Sequence, residues 1–376
     1  MKNIIENKKL VIDCNNDKEL YDFYRGNLEE AKNGLYMYRK AKDGILNFKI
    51  DFGKTASKAK ENPVLGGIMG LCVADALGVP VEGASRDKLK KVPVKGMDRK
   101  GRFGMAPGTW SDDSSLTLCL ADSLARGFDY KDMMNKFSDW LFHGKFTPQG
   151  EAFGIGNGTY RAIMSFDDEI EPLLCGGKEE GDNGNGSLMR ILPLVFYIRA
   201  ELGKDFIGNK VAMDAIDNVS SLTHAHKRSV VACGIYLSIA SRLLDGEALD
   251  KAVSIGFENA IDYYAKKEDC KAELHHFQRI SEPDFKDLAE KEIRSSGYVV
   301  DTLEAALWCL LNTASYKDCV LKAVNLGEDT DTVGAVAGGL AGIRYGYKSI
   351  PDEWLEHIVK KEMIISVCEN LIKEIK

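Results

Sequence analysis

From Pro63 onward, apolar residues recur at helical spacing almost without interruption, and no convincing period-two alternation is found. Val64 to Gly78 reads as an apolar helix stopped by Val79-Pro80. Ser111 caps a helix to about Arg126, and Lys131 to His143 is another, with Phe137, Trp140 and Leu141 inward. A short helix at 160–165 precedes helices at about 188–201, 210–221, 226–244 and 247–265. Val299–Thr313, Tyr316–Val324, Asp331–Tyr345 and Pro351–Lys373 complete the series. Residues 84–108 read as basic, Gly-rich loop, and 266–296 as a charged, solvated helical insertion. The body is expected to be all-α, a compact multi-helix bundle spanning 62–376 without a fixed internal repeat.

Residues 1–61 differ. Asn16 to Lys32 reads as a short amphipathic helix. Residues 34–39 and 45–50 flank Lys42-Asp43-Gly44 in a hairpin pattern, and 55–62 reads as a linker. Residues 1–60 hold 13 Lys/Arg against 9 Asp/Glu, a basic arm on a chain of net charge −7. No apolar run of membrane-spanning length is read from the sequence, and the N-terminus lacks a signal-peptide core. Neither a membrane nor nucleic acid is expected as a partner. The nine cysteines form no CxxC pair, and Cys72, Cys119, Cys233 and Cys309 sit in apolar helical patterns. They read as buried free thiols of a cytoplasmic protein.

The chemistry concentrates in Gly-rich polar loops between helices. Gly327-Glu328-Asp329-Thr330-Asp331-Thr332 opens a run of small residues, Val333 to Gly342, that reads as a tightly packed helix. An Asp-Thr pair before a helix is ordinarily an N-cap. An EF-hand fails, because Val333 and Leu340 stand at loop positions 5 and 12, where oxygen ligands belong. Ser111-Asp112-Asp113 opens another apolar helix in the same way. Together, Ser111, Asp112, Asp113, Asp329, Asp331 and Thr332 make an all-oxygen set suited to hard cations, Mg²⁺ or Mn²⁺. Four clustered carboxylates would raise one another's pKa values, and two cations would balance them.

Three further features join this set. Asp75 lies inside its helix and reads as a buried structural hydrogen-bonder, whereas Glu82, past Pro80, is placed to act as a base or gate. Gly184-Asn185-Gly186-Ser187-Leu188-Met189-Arg190 exposes backbone N–H groups at a helix start, an anion site where a pyrophosphate would fit. Thr223-His224-Ala225-His226 opens another helix; its two histidines are not on one face, which argues against a zinc pair.

The stretches GGIMGLCVADALGVPVEG, GTWSDDSSLTL, GIGNGT, GNGSLMRILPL, THAHKRS and GYVVDTLEAALWCLL followed by AVNLGEDTDTVGAVAGGLAGIRYG run in order over roughly residues 64–346. Read together they resemble the ADP-ribosylglycohydrolase family, which includes the dinitrogenase reductase-activating glycohydrolase. The resemblance implies an all-α fold and two Mg²⁺ (or Mn²⁺) ions held by Ser111, Asp112, Asp113, Asp329, Asp331 and Thr332. It implies Asp113 or Glu82 as base, and Gly156, Asn157, Gly186, Ser187, Met189 and His224 at the ADP-ribose site. The implied reaction removes ADP-ribose from a modified protein side chain, arginine above all, reversing an ADP-ribosyltransferase. Gly154 departs from the family's pattern, which often has an acidic residue there; Ala74 and Lys227 depart in smaller ways. Some members of the wider family look like immunity proteins that also occlude a cognate ADP-ribosyltransferase toxin through an N-terminal extension. The arm at 1–60 is similar in placement.

Overall fold

The computed structural model describes residues 2–6, 9–13, 62–98 and 104–376. The chain divides into two compact units, Met1–Ala59 and Lys60–Lys376. In the first, β1 (Lys2–Glu6) pairs antiparallel with β2 (Lys9–Asp13), Lys2 opposite Asp13. The helix expected at 16–32, the hairpin at 34–50 and the linker at 55–61 lie outside the described residues.

The second unit is helical. Its elements are α1 (Pro63–Gly78), α2 (Arg86–Lys91), α3 (Asp112–Leu124), α4 (Tyr130–His143), α5 (Asn157–Asp167), α6 (Pro193–Leu202) and α7 (Lys210–Ser221). Then follow α8 (Lys227–Leu244), α9 (Leu249–Tyr264), α10 (Glu268–Lys271), α11 (Val299–Leu311), α12 (Tyr316–Val324), α13 (Thr330–Tyr345), α14 (Asp352–His357) and α15 (Lys361–Glu374).

The axis of the unit is the antiparallel pair α1 and α13. Asn62 caps α1, its side chain accepting from Val64 N–H, and Pro63 takes the first helical position. Neither helix keeps a polar face, so both are buried on all sides. Their glycines let the backbones touch: Gly66 faces Gly342, Gly70 faces Gly338, and Gly78 faces Asp331. A methyl on Gly338 would meet Ala74 Cβ at 2.4 Å and Gly70 O at 2.6 Å. Gly338→Ala is therefore expected to cost about 1–3 kcal/mol, read as a lower denaturant midpoint. Pro63–Val81 also corrects the reading that no apolar run reaches membrane-spanning length. That stretch is long and apolar enough to cross a bilayer, but 94% of it is buried inside the protein.

Other departures have local causes. The helix expected at 188–201 becomes a 3₁₀ turn, Leu188–Arg190, and a helix that begins only at Pro193, because proline is tolerated at a helix start and not inside. The segment expected as loop at 84–108 contains α2, capped by Ser85. The insertion at 266–296 is a series of short turns that bury Phe277, Ile280, Phe285 and Ile293, so it is not wholly solvated. The helix expected over 351–373 breaks at Lys360, which adopts φ 53°.

Candidate active site

The last turn of α1 organises the site. Both Asp75 oxygens accept from Ser111 N–H, one also accepts from Ser111 Oγ, and the other from Ser114 N–H and Ser114 Oγ. Asp75 thereby caps α3 from a neighbouring helix. One turn later, Gly78 lies so close to α13 that a methyl there would meet Asp331 N at 2.5 Å. Thr330 Oγ1 donates to the Gly78 carbonyl at 2.9 Å. One short piece of α1 thus fixes both acid-bearing helix starts, more than two hundred residues apart in sequence. The reading of Asp75 as a structural hydrogen-bonder agrees with this geometry.

Between these helix starts lies a cavity of about 560 Å³. Glu82, Asp112, Asp113, Asp329, Asp331 and Thr332 line its acidic end. Gly156, Asn157, Gly186, Met189 and His224 line the rest. Two of the expected residues do not. Ser111 is 1% exposed behind the wall, its hydroxyl within reach of Asp75 and Asp113. Ser187 is fully buried, accepting from Ser220 Oγ at 2.9 Å beside Cys233 Sγ. Gly158 and Thr159, from the loop at 154–159 that the sequence offers as a second anion site, also line the cavity, and so do Ser296 and Gly297, to which the sequence pattern gives no role. The place of Ser296 and Gly297 follows from chain segments meeting across the fold, for which local sequence carries no signal. In the sequence, Asn185 is part of the Gly-rich anion loop and has no side-chain role of its own. Its amide instead donates to Asp329 Oδ2 at 2.7 Å and to Thr302 Oγ1 at 2.8 Å, tying the Gly-rich loop to the acid loop.

The electrostatics are unbalanced. Ligand oxygens of Asp75, Asp113 and Asp331 lie within 4.8 Å of one another. Burial raises the pKa of Asp113 well above the carboxylate range, and Asp75, Asp112 and Asp329 push it further. Asp112 is raised by burial, then by Asp75, Asp329 and Glu82. Asp331 is raised by burial, then by Asp113, Asp329 and Glu82. Asp75, buried but well supplied with donors, is raised to about 6. Asp113 Oδ2 is near Ser111 Oγ (3.0 Å) and Thr332 Oγ1 (3.5 Å), while Asp113 Oδ1 is buried with no hydrogen-bond partner. An orphaned carboxylate oxygen among mutually repelling acids fits a cation at this place. Asp75 is near enough to be a ligand, but both its oxygens are already engaged by donors. Asp113 Oδ1 is left without a hydrogen-bond donor, whereas Asp331 Oδ1 accepts from Thr332 N–H at 3.0 Å.

Gly154 covers this end. It adopts φ +83°, and a methyl there would meet Asp112 Oδ1 at 2.5 Å. Side chains are disfavoured at such a φ, and a carboxylate would crowd the acid it faces. Gly154→Ala is expected to cut turnover about tenfold by displacing Asp112, with metal affinity reduced in the same titration. Unchanged turnover would show that Asp112 has room.

A family model described as ADP-ribosylglycohydrolase matches residues 56–376. The chain belongs to the ADP-ribosylglycohydrolase family. As a member it is a hydrolase that removes ADP-ribose. It is 34% identical over 317 residues to "ADP-ribosylarginine hydrolase Tri1" of Serratia proteamaculans, covering 81% of this chain and 78% of that protein. It is 29% identical to "ADP-ribosyl-[dinitrogen reductase] glycohydrolase" of Rhodospirillum rubrum, covering 79% and 90%. A solved structure titled "ADP-ribosylglycohydrolase-related protein complex" superposes with a TM-score of 0.68 at 29% identity, covering 85% of this chain and all of that one. The all-α body and the family resemblance read from the motifs agree with these findings.

Proposed function

We propose that this ADP-ribosylglycohydrolase cleaves the bond between ADP-ribose and a modified arginine side chain, using two Mg²⁺ or Mn²⁺ ions. The observation that carries the reading is the orphaned Asp113 Oδ1 within a cluster of buried acids at one end of a glycine-walled cavity. Asp112, Asp113, Asp329, Asp331 and Thr332 would hold the cations, with Ser111 supporting Asp113 from behind. Bound there, the cations would neutralise the acids and polarise substrate oxygens.

The chain's own residues account for the rest. Glycines 156, 158, 184 and 186 keep side chains out of the groove, so an extended ADP-ribose lies against backbone. Their N–H groups suit a pyrophosphate. Asn185 fixes Asp329, and the Gly297 backbone closes on it, with a built methyl only 3.4 Å from Asp329 Oδ2. Asp113 or Glu82 accepts a proton from the attacking water. Carboxylate oxygens not engaged by the cations stabilise the positive charge that develops on the ribose as its bond to the guanidinium nitrogen breaks, and the departing guanidine takes up the proton from the base. Residues 62–376 form the catalytic domain in this reading, and 1–61 a separate extension.

The linkage is tested by offering the enzyme arginine-, serine- and DNA-linked ADP-ribose with Mg²⁺ or Mn²⁺. Release from the arginine linkage is expected. Release confined to serine or DNA substrates would replace arginine as the target while leaving the site intact.

A further inference from the structure

Arg190 is fully buried. Its Nη2 donates to the Val219 carbonyl at 3.1 Å and to Thr223 Oγ1 at 2.9 Å. Its Nε and Nη1 have no partner, and its guanidinium lies 4.6 Å from the Phe137 ring centre. No ion pair to Arg190 is found among the described residues. Burial lowers its pKa only to about 10, so the side chain stays charged at neutral pH. A buried guanidinium without a carboxylate is costly, so its one side-chain acceptor is informative.

That acceptor fixes a proton. Arg190 can only donate, so Thr223 Oγ1 receives from it and keeps its own proton to give. The acceptor in reach is His224 Nδ1, at 2.9 Å. With Nδ1 accepting, the ring proton of a neutral His224 resides on Nε2. The His224 ring lies on the cavity wall. Methyls built on Gly158, Gly184 and Gly186 would come within 3.0, 3.6 and 3.1 Å of Nε2. The three glycines leave that nitrogen facing open groove.

We propose that Arg190, acting through Thr223, holds His224 as a neutral imidazole protonated on Nε2 and aimed as a donor at an oxygen of ADP-ribose. The identity of the ligand rests on the proposed function; the relay itself does not. Burial, and then the Arg190 cation, pulls the His224 pKa down to about 3, in keeping with a neutral ring. Arg190 and Thr223 are positioning residues here, and His224 makes the contact.

The test combines nitrogen NMR of histidine-labelled protein, with His224 assigned by its loss in His224→Gln, and calorimetry with ADP-ribose. The wild type is expected to show a neutral Nε2–H ring. Thr223→Val, nearly isosteric, should populate the Nδ1–H form and weaken ADP-ribose binding about tenfold. Thr223→Ser should restore both. Arg190→Met should raise the pH at which His224 titrates; if that variant does not fold, the Thr223 pair decides. A wild-type ring that is Nδ1–H or doubly protonated, or an Nε2–H ring untouched by Thr223→Val, overturns the relay. An Nε2–H ring in a protein that does not bind ADP-ribose overturns the ligand, and with it the proposed function.

Discussion

Asp113→Asn should lower ADP-ribose release by about three orders of magnitude while raising the thermal midpoint of the metal-free protein. The two effects have one cause. Asp113 is buried, its pKa is raised by burial and by three neighbouring acids, and one of its oxygens has no partner. In the absence of a cation this carboxylate destabilises the fold. An amide of the same shape removes the charge and can donate to a neighbouring carboxylate. The same change removes a ligand oxygen and a candidate base from the cavity. Gain of stability with loss of function is the mark of a residue kept for chemistry. Release assays and thermal unfolding in chelator read the two effects on one preparation. A variant that loses stability and activity together would make Asp113 a structural residue.

The second large effect is on the pH dependence of stability. A carboxyl whose folded pKa is raised contributes stability that is complete below its unfolded pKa and lost as pH rises through the folded value. Asp112, Asp113 and Asp331 are all raised, and Asp75 is raised to about 6. The metal-free protein should therefore lose stability as pH climbs above the ordinary aspartate pKa of about 3.9, through about 6 where Asp75 ionises, and further as the three more strongly raised acids ionise. A divalent cation replaces the protons, so its stabilising effect should grow over the same range. At one hundred times its dissociation constant the cation adds about 2.7 kcal/mol. Unfolding midpoints with and without Mg²⁺ or Mn²⁺ at several pH values measure this directly. A cation effect independent of pH would place binding away from these acids.

The sequence makes the acids legible because charge at the mouth of an apolar helix is locally anomalous. Asp112, Asp113, Asp329 and Asp331 stand out on that ground, and Glu82 because it follows a helix-ending proline. The roles that were not legible depend on long-range meetings. Asn185 reaches Asp329 across 144 positions, and Ser296 and Gly297 enter the wall only because their segment folds back onto the Gly-rich loop. Ser187 carries the right chemistry in the right motif, yet its side chain turns inward to Ser220 and Cys233. Arg190 reads as the basic end of a motif, and only its burial reveals a cation beneath the ligand groove. The helix boundaries that moved did so at Pro193 and Lys360, where backbone constraints override hydrophobic period.

The clustered carboxylates at the junction of α1, α3 and α13 could hold a metal ion, and the proposed hydrolysis depends on one. The most direct measurement is ADP-ribose release from an ADP-ribosylarginine protein, first in chelator and then on return of Mg²⁺ or Mn²⁺. The structure predicts no release in chelator and full recovery with either metal. Release that continues unchanged in chelator would contradict it.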